Sequence, residues 1–525
     1  MLHALELENF KAFGKRARIP FAPITLIFGE NSAGKSTILQ ALYLLKQTLE
    51  SRDTRTLLLP RTENGIVDLG SFQEILFDHD LERTLSIRVE TTSEFGEALH
   101  VDSGRRIRLP FGKNRIGIEF SFKRPSLKQE VLLHQIDIYV GELANRIASF
   151  QPLNTKEAIE RGSLSDGLSV ACIWLTKEPE YWKTEFERCK ENKEETLSLL
   201  KKKLRDLEHP NNNSEGERIK EAIEFLSSDF DLETYISKRS EHEMNVIIHM
   251  TGFLPSASGL AASYPSLLMP QSNELDVLTL AWLASDALKE TLKALFPINP
   301  FREPPERWYI FRGTSPRHVG YGGESLPDLL LRRPKLLKET NEWLKQLDIG
   351  YELEVKSIGT DSSDLFEVRL IDTRQKKRVN VALSDVGYGI SQLLPFIVQS
   401  LVAAGRIISI EQPEVHVHPK LQADLGALLA AVIKEPHEDH SQDPSANILL
   451  APRQNQFIIE THSEHLILRL QRLVRQRDIE PEDVSVIYVS RGPEGAKAER
   501  LHLDKDGDFI DEWPNGFFTE RLREL

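Results

Sequence analysis

The chain has 525 residues, 40% of them hydrophobic and 28% charged, with a formal net charge of -14. That length leaves room for roughly two or three globular units of ordinary soluble composition, and the acidic balance excludes a protein coated overall in basic charge for nucleic acid, though not a local basic groove. Its two cysteines, Cys172 and Cys189, are too few and wrongly spaced for a disulfide framework or a zinc site, which fits a reducing cytoplasm.

The N-terminus, MLHALELENF, lacks the basic start and apolar run of a signal peptide. Residues 2–13 alternate apolar and polar, as an opening strand does. Residues 24–28 form an apolar run that stops at Gly29, and a helical pattern follows over residues 35–49. Short alternating segments between residues 85 and 141, such as SIRVET, GIEFSF and IDIYVG, predict an antiparallel layer. From 148 to 250 the character changes. Leu197, Leu200, Leu204 and Leu207 recur at helical spacing, as do Ile219, Ile223 and Leu226 after the turn at PNNNSEGE. This predicts a helical hairpin, either a stubby coiled coil or an amphipathic pair packed on its own domain.

FPINPFREPPER, residues 296–307, is rich in proline and reads as a linker. RHVGYGGESLPDLL is a glycine-rich loop before a helix. YELEVKSIG, LFEVRLID and RVNVALS read as strands, RIISIE and NQFIIET as buried strands, and KLQADLGALLAAVI as a helix. The most apolar stretch, 390–410, is interrupted by Ser391, Gln392, Pro395, Gln399, Ser400 and Arg406. It is too polar for a membrane span and reads as a buried helix feeding a buried strand.

The chemistry starts at Gly29-Glu30-Asn31-Ser32-Ala33-Gly34-Lys35-Ser36, followed by Thr37, which matches GxxxxGK[ST] in full between a strand and a helix. Glycines let backbone N–H groups curl around phosphate oxygens, and the helix N-terminus adds its positive dipole end. Lys35 then reaches the β- and γ-phosphates of ATP, and Ser36 ligates Mg²⁺. Far downstream, the apolar strand RIISIE ends in Glu411, a carboxylate placed to hold Mg²⁺ through water. Glu414, His416 and His418 follow in QPEVHVHP, and FIIETHSEH is another apolar strand that ends at Thr461-His462-Ser463. Between them and the phosphate loop, LSDVGYGISQ places a serine, glycines and a glutamine at an expected helix N-terminus, where N–H groups and a hydroxyl can meet a γ-phosphate.

In that order, the phosphate loop, LSDVGYGISQ, IEQPEVHVHP and ETHSEH resemble the ABC-type ATPases of the SMC, RecF and OLD group. The resemblance implies an α/β P-loop ABC-type fold split by an insertion, with an antiparallel β layer and a helical hairpin. It puts the signature at residues 384–392, so that Ser384, Gly387, Gly389 and Gln392 face nucleotide. Glu411 takes the Walker B place, His462 the switch-histidine place that senses γ-phosphate, and Gln73, in LGSFQEILFDHD, the Q-loop place beside Mg²⁺. The implied divisions are an N-terminal lobe (1–147), a helical insertion (148–250), a connecting region (251–375), a C-terminal lobe (376–470) and a small C-terminal domain (471–525). NEWLKQLDIGYELEV, IEQPEVHVHP, ETHSEHLILRL and DGDFIDEWPNGFF together resemble a bacterial ATPase family that ends in a small domain of unknown function. Related ATPases occur in anti-phage systems such as Septu and some retrons, beside a separate HNH nuclease.

About 350 residues separate Lys35 from Ser384, far more than a transporter subunit leaves. In ABC enzymes the signature of one subunit closes the phosphate loop of another, so one chain with one of each implies a C2 homodimer or a higher oligomer. The other partners implied are a separate nuclease or effector protein, and DNA or RNA if the chain is RecF-like. No membrane partner is expected. About 60 residues follow His462, too few for the nuclease domain of OLD proteins.

One departure matters. ABC ATPases place a glutamate after the Walker B residue to position the attacking water, and here that residue is Gln412. General-base help is worth about 10²–10⁴ in rate, so two readings follow. Either Glu414 or another group does the work, or ATP is a slowly hydrolysed clamp or scaffold; the sequence leans to the clamp. Three further features read as structural. His416 and His418 belong to a loop beside the nucleotide rather than a metal site, and DKDGDF, with its glycine too early for an EF-hand, is a hairpin turn. Arg307, Arg312, Arg317 and His318, with Trp308 and Tyr309 among them, form a solvated basic edge rather than a nucleic-acid surface.

Overall fold

A computed structural model of the chain describes residues 1–51, 56–63, 65–92, 99–101, 105–107, 115–124, 130–141, 145–153, 169–175, 186–187, 190, 193–206, 214–235, 237, 247–251, 253–255, 277–300, 302–359, 364–374, 378–434 and 455–513. Two units are distinguished by their internal contacts. One comprises Met1–Lys46, Arg61–Leu69 and Thr291–Leu525, and the other Gln47–Pro60 and Gly70–Glu290.

In chain order, β1 (Leu2–Glu8) and β2 (Ala17–Pro20) form an antiparallel hairpin, and β3 (Ile24–Gly29) leads into α1 (Lys35–Leu49). After the single-turn α2 (Phe72–Ile75) come β4 (Leu85–Thr92), the short pair β5 (Leu99–Val101) and β6 (Arg105–Ile107), β7 (Arg115–Lys123) and β8 (Leu132–Val140). β9 (Asn145–Pro152) and β10 (Ser169–Leu175) precede the helices α3 (Lys193–Asp206) and α4 (Ser214–Ser227), and β11 (Ile247–Thr251) and β12 (Leu254–Pro255) follow them. Helix α5 (Val277–Ala294) runs into β13 (Leu295–Ile298), after which come β14 (Tyr309–Ile310), α6 (Leu326–Arg332) and α7 (Pro334–Gln346). A small antiparallel sheet of β15 (Tyr351–Ser357), β16 (Leu365–Asp372) and β17 (Val379–Ala382) precedes α8 (Tyr388–Val402). The rest of the described chain is β18 (Ile407–Glu411), α9 (Pro419–Lys434), β19 (Gln456–Glu460), α10 (Glu464–Arg475), β20 (Val484–Gly492) and β21 (Gly495–Leu501).

The first unit is organised by a six-stranded sheet of described strands in the order β13-β18-β19-β3-β20-β21. All neighbours are parallel except β20 and β21. Such strands are covered on both faces, which is why ITLIF, IISI and FII read as unbroken apolar runs. Leu26 of β3 shares one buried core with Ile410 of β18, Ile459 of β19, Leu394 of α8, Leu428 of α9 and Leu470 of α10. Truncating any of these large side chains to alanine costs about 2–5 kcal/mol. Buried polar groups are tied within this core. Gln456 exchanges hydrogen bonds with the backbone of Leu2 at 3.0 and 2.8 Å, and Tyr43 of α1 donates to Ser409 of β18 at 3.0 Å.

In the second unit, β4, β7, β8, β9, β10, β11 and β12 follow one another as antiparallel neighbours. α3 and α4 form the predicted hairpin, burying Leu200, Ile219 and Leu226. Phe225, Phe230 and Tyr235 stack close by. Leu207 and the PNNN turn lie outside the described residues. An α/β fold with the phosphate loop on a mostly parallel sheet, an antiparallel layer and a helical hairpin is therefore the fold found, and no helix among the described residues is long and apolar enough to cross a membrane.

Two local readings need correction. The region from 148 to 250 is helical only in part, because β9, β10 and β11 continue the antiparallel sheet on either side of the hairpin. The proline-rich segment at 296 is not all linker. Leu295–Ile298 is a strand paired in parallel with β18, Ile298 opposite Ile410. Pro297 is tolerated because β13 is an edge strand, where one missing N–H leaves the other side of the ladder intact.

Candidate nucleotide-binding site

The phosphate loop turns where the chain leaves β3. Gly29 has φ +143°, and a Cβ there would lie 2.0 Å from the carbonyl oxygen of Val489 on β20, so no larger residue fits. Gly34 has φ +107° and abuts Ala12, while Ser32 takes φ 61°, a left-handed conformation that costs a residue with a Cβ. Glu30, Asn31 and Ser32 are exposed, whereas Ala33, Lys35 and Thr37 are buried. The Lys35 ammonium donates to the carbonyl oxygens of Gly29 at 3.1 Å and Glu30 at 2.7 Å. Burial lowers its pKa, against the pull of Glu460 and Glu414, so the site holds a partly desolvated cation beside carboxylates.

The parallel register aligns the acidic side of the site. Glu411 ends β18 directly opposite Glu460 at the end of β19, the strand between β18 and β3. The Ser36 hydroxyl donates to Glu460 at 2.7 Å. Burial pushes Glu411 up to about 7, with the Glu460 charge adding to the rise and Ser36 opposing it. Burial likewise raises Glu460, against Ser36 and Lys35, and raises Glu414, against the backbone N–H of His462. That N–H donates to Glu414 Oε1 at 2.7 Å, while Oε2 is buried and has no hydrogen-bond partner among the described residues. His462 itself is shifted down by burial and then by Lys35, which favours a neutral imidazole. The set of Ser36, Glu411 and Glu460 consists of oxygen donors whose negative charge burial disfavours, which suits a hard divalent cation such as Mg²⁺.

The backbone N–H of Gln412 continues the ladder between β18 and β19, donating to the Glu460 carbonyl at 2.7 Å, and its φ of 46° starts the loop that follows. Glu414, two residues on, is the carboxylate brought to His462. The two loops are locked by Gln422 of α9, which accepts from Ser463 Oγ at 2.7 Å and donates to the Val417 carbonyl at 2.8 Å.

The residues expected as the signature have a different environment. Ser384 lies in a short 3-10 turn and is exposed, as is Gly387, the residue that caps α8 without a side-chain hydrogen bond. Gly389 and Gln392 lie in the first turns of α8. A Cβ on Gly389 would stand 2.5 Å from the His416 carbonyl oxygen, so α8 begins against the loop after β18. Arg307 forms a two-pronged bond to Asp385 at 2.6 and 3.1 Å, which commits one residue of the basic stretch to this segment. In the second unit, Gln73 of α2 donates to the His79 carbonyl at 3.2 Å, within a helix capped by Ser71 and Glu74. His416 and His418 are carried on the loop after β18, and Asp504 accepts from the backbone of Asp506 and Asp508 at 2.9 Å, a tight turn.

Three residues at this edge have no role assigned from the sequence. Glu460 ends its strand directly before Thr461-His462, but its place opposite Glu411 is set by register. Gln422 carries no motif at all. Arg302 is hidden in the proline-rich segment and follows β13. It is only 7% exposed, its Nη1 donates to the Pro300 carbonyl at 3.2 Å, and its Nε and Nη2 have no hydrogen-bond partner among the described residues. Burial lowers its pKa to about 10, and the charge of Glu414 opposes that shift. Each unsatisfied buried donor costs about 1–3 kcal/mol, more on a charged group, so a structure that keeps two of them on one guanidinium calls for a compensating ligand.

A family model described as an AAA ATPase domain matches residues 1–251 and 327–467, and that of a protein of unknown function, DUF3696, matches residues 479–525. No curated protein matches the chain. Among solved structures, an Smc head domain with an extended coiled coil bound to the C-terminal domain of ScpA, from Pyrococcus furiosus, is 10% identical with a TM-score of 0.36, over 95% of this chain and 96% of that one. The SMC head domain from Thermotoga maritima is 9% identical with a TM-score of 0.34, over 96% of this chain and 99% of that one.

Proposed function

The chain belongs to the AAA ATPase domain family, and from that premise we propose that it binds ATP with Mg²⁺ and closes as a two-chain sandwich, the signature of each subunit completing the phosphate loop of the other. The observation that carries this reading is the contrast within one chain between a buried, interlocked cluster around Lys35 and an exposed Ser384 and Gly387. ATP would be held by the loop from Gly29 to Thr37. Mg²⁺ would be held by Ser36, Glu411 and Glu460, and would supply charge neutralisation to the phosphate oxygens. Lys35, already desolvated, adds positive charge that costs no reorganisation when phosphate binds.

Glu414 is the residue placed to hold an attacking water. It is fixed through one oxygen by His462, and its other oxygen is left to accept a proton donor. This favours turnover through Glu414 over the non-hydrolysing clamp that Gln412 suggests. The output of the closed dimer is control of a separate effector, a nuclease in anti-phage defence by the family resemblance carried in IEQPEVHVHP and ETHSEH. The test is particle mass by light scattering with and without Mg²⁺-ATP. The reading expects a rise from the 59.9 kDa chain toward twice that mass on adding ATP, and loss of the rise in Ser384→Arg. A mass that ATP does not change in either protein contradicts it.

A further inference from the structure

We propose that Arg302 is a ligand for the terminal phosphate of a nucleoside triphosphate, the residue by which this chain tells ATP from ADP. The inference rests on the nucleotide-site reading above and adds to it a recognition residue outside every motif of the sequence.

β13 pairs with β18 on the side away from β19 and β3, and Ile298 is level with Ile410, so the chain leaves β13 beside Glu411 at the same edge as the phosphate loop. Three strand spacings of about 4.8 Å separate β13 from β3. A group following β13 therefore lies beyond Glu411, on the Mg²⁺ side of the phosphate loop. In a nucleotide held by Gly29–Thr37 the phosphate on that side is the γ-phosphate, which Mg²⁺ bridges to the β-phosphate and which ADP lacks.

The chemistry of the side chain agrees with its position. Arg302 is more than nine-tenths buried, and its Nε and Nη2 have no acceptor among the described residues. It feels the Glu414 charge, yet no hydrogen bond or ion pair joins the two, and Glu414 Oε2 is also buried without a partner. Orphaned donors and an orphaned acceptor thus lie in one neighbourhood without satisfying each other. Arginine presents a rigid fork of donors matched to phosphate oxygens. An anionic oxygen ligand satisfies the guanidinium, and Glu414 keeps its free oxygen for water.

The experiment is equilibrium binding of ATP and of ADP, each with Mg²⁺, by isothermal titration calorimetry to wild type, Arg302→Gln, Arg302→Lys and Lys35→Ala. Arg302→Gln is expected to weaken ATP at least about tenfold, the loss of charge-assisted hydrogen bonds, and ADP less than about threefold. Arg302→Lys is expected to reduce the preference for ATP over ADP by at least about threefold, because lysine offers a point charge where arginine offers a fork. Equal weakening of ATP and ADP, or none, overturns the proposal and assigns the gap to bound water. If Arg302→Gln does not fold, an unchanged preference in Arg302→Lys overturns it. Failure of the nucleotide-site reading itself looks different, since wild type and Lys35→Ala would then bind ATP alike.

Discussion

The edge where β3, β18 and β19 end and the start of α8 are built from residues of the same unit, yet they are finished to different degrees. At the first, Lys35 and Glu460 are buried, Glu411 and Glu414 are partly buried, and the group is tied to Ser36, His462 and the phosphate-loop backbone. At the second, Ser384 and Gly387 are exposed, and the turn is held from outside by Arg307. The contrast teaches that pre-organisation is concentrated where charge must be handled, whereas the surface proposed to close on another chain is shaped by backbone alone. Glycines at 387 and 389 serve the second purpose, since at Gly389 even a methyl group collides with the His416 carbonyl.

Substitutions can break each side of this contrast separately. The largest effect is expected from Glu414→Gln, which keeps the His462 contact but cannot take a proton. Steady-state ATP turnover should fall by about 10²–10⁴, with ATP affinity changed little. Lys35→Ala comes next, weakening ATP by about 10- to 100-fold in calorimetry through loss of a charged donor. Ser384→Arg should leave ATP binding by the single chain within about threefold of wild type while abolishing ATP-dependent mass increase, because its side chain enters only the proposed interface. Gln412→Glu should change turnover less than about threefold, since Glu414 already fills the proposed role of base; a gain near 10² would return the base to position 412.

The smallest effect concerns pH. Glu411 titrates at about 7 in the folded chain, and Glu460 and Glu414 are also raised, so in that window the folded state holds more protons than the unfolded one. Stability therefore falls as pH rises from about 5 to about 8 through these groups, the reverse of a salt-bridged carboxylate. Thermal melts in the absence of divalent cation should show this slope in wild type, and a shallower one in Glu411→Gln. An identical slope in both would remove Glu411 from the account.

Much of the fold was legible because parallel strands declare themselves. ITLIF, IISI and FII have no other use for so many β-branched and apolar residues in a row. The phosphate loop was legible because its glycines are required by backbone geometry, as the Val489 contact at Gly29 shows. What stayed hidden had local signals pointing elsewhere. Pro297 and Pro300 masked β13 and, with it, Arg302, because a run of prolines reads as a linker although an edge strand tolerates them. Glu460 passed unnoticed because its role arises from register, opposite Glu411, and register is a property of two segments rather than one. β9 and β10 were absorbed into the helical region because the leucine repeat beyond them dominates the pattern.

The shared-site claim is tested most directly by mixing two variants that break different halves, Lys35→Ala and Ser384→Arg, and measuring Mg²⁺-ATP turnover of the mixture against each alone. The account predicts that each is inactive by itself and that the mixture recovers up to about a quarter of wild-type activity, from mixed C2 dimers in which one of the two sites is intact. A mixture no more active than its components, with both variants folded and the wild type turning over, would contradict it.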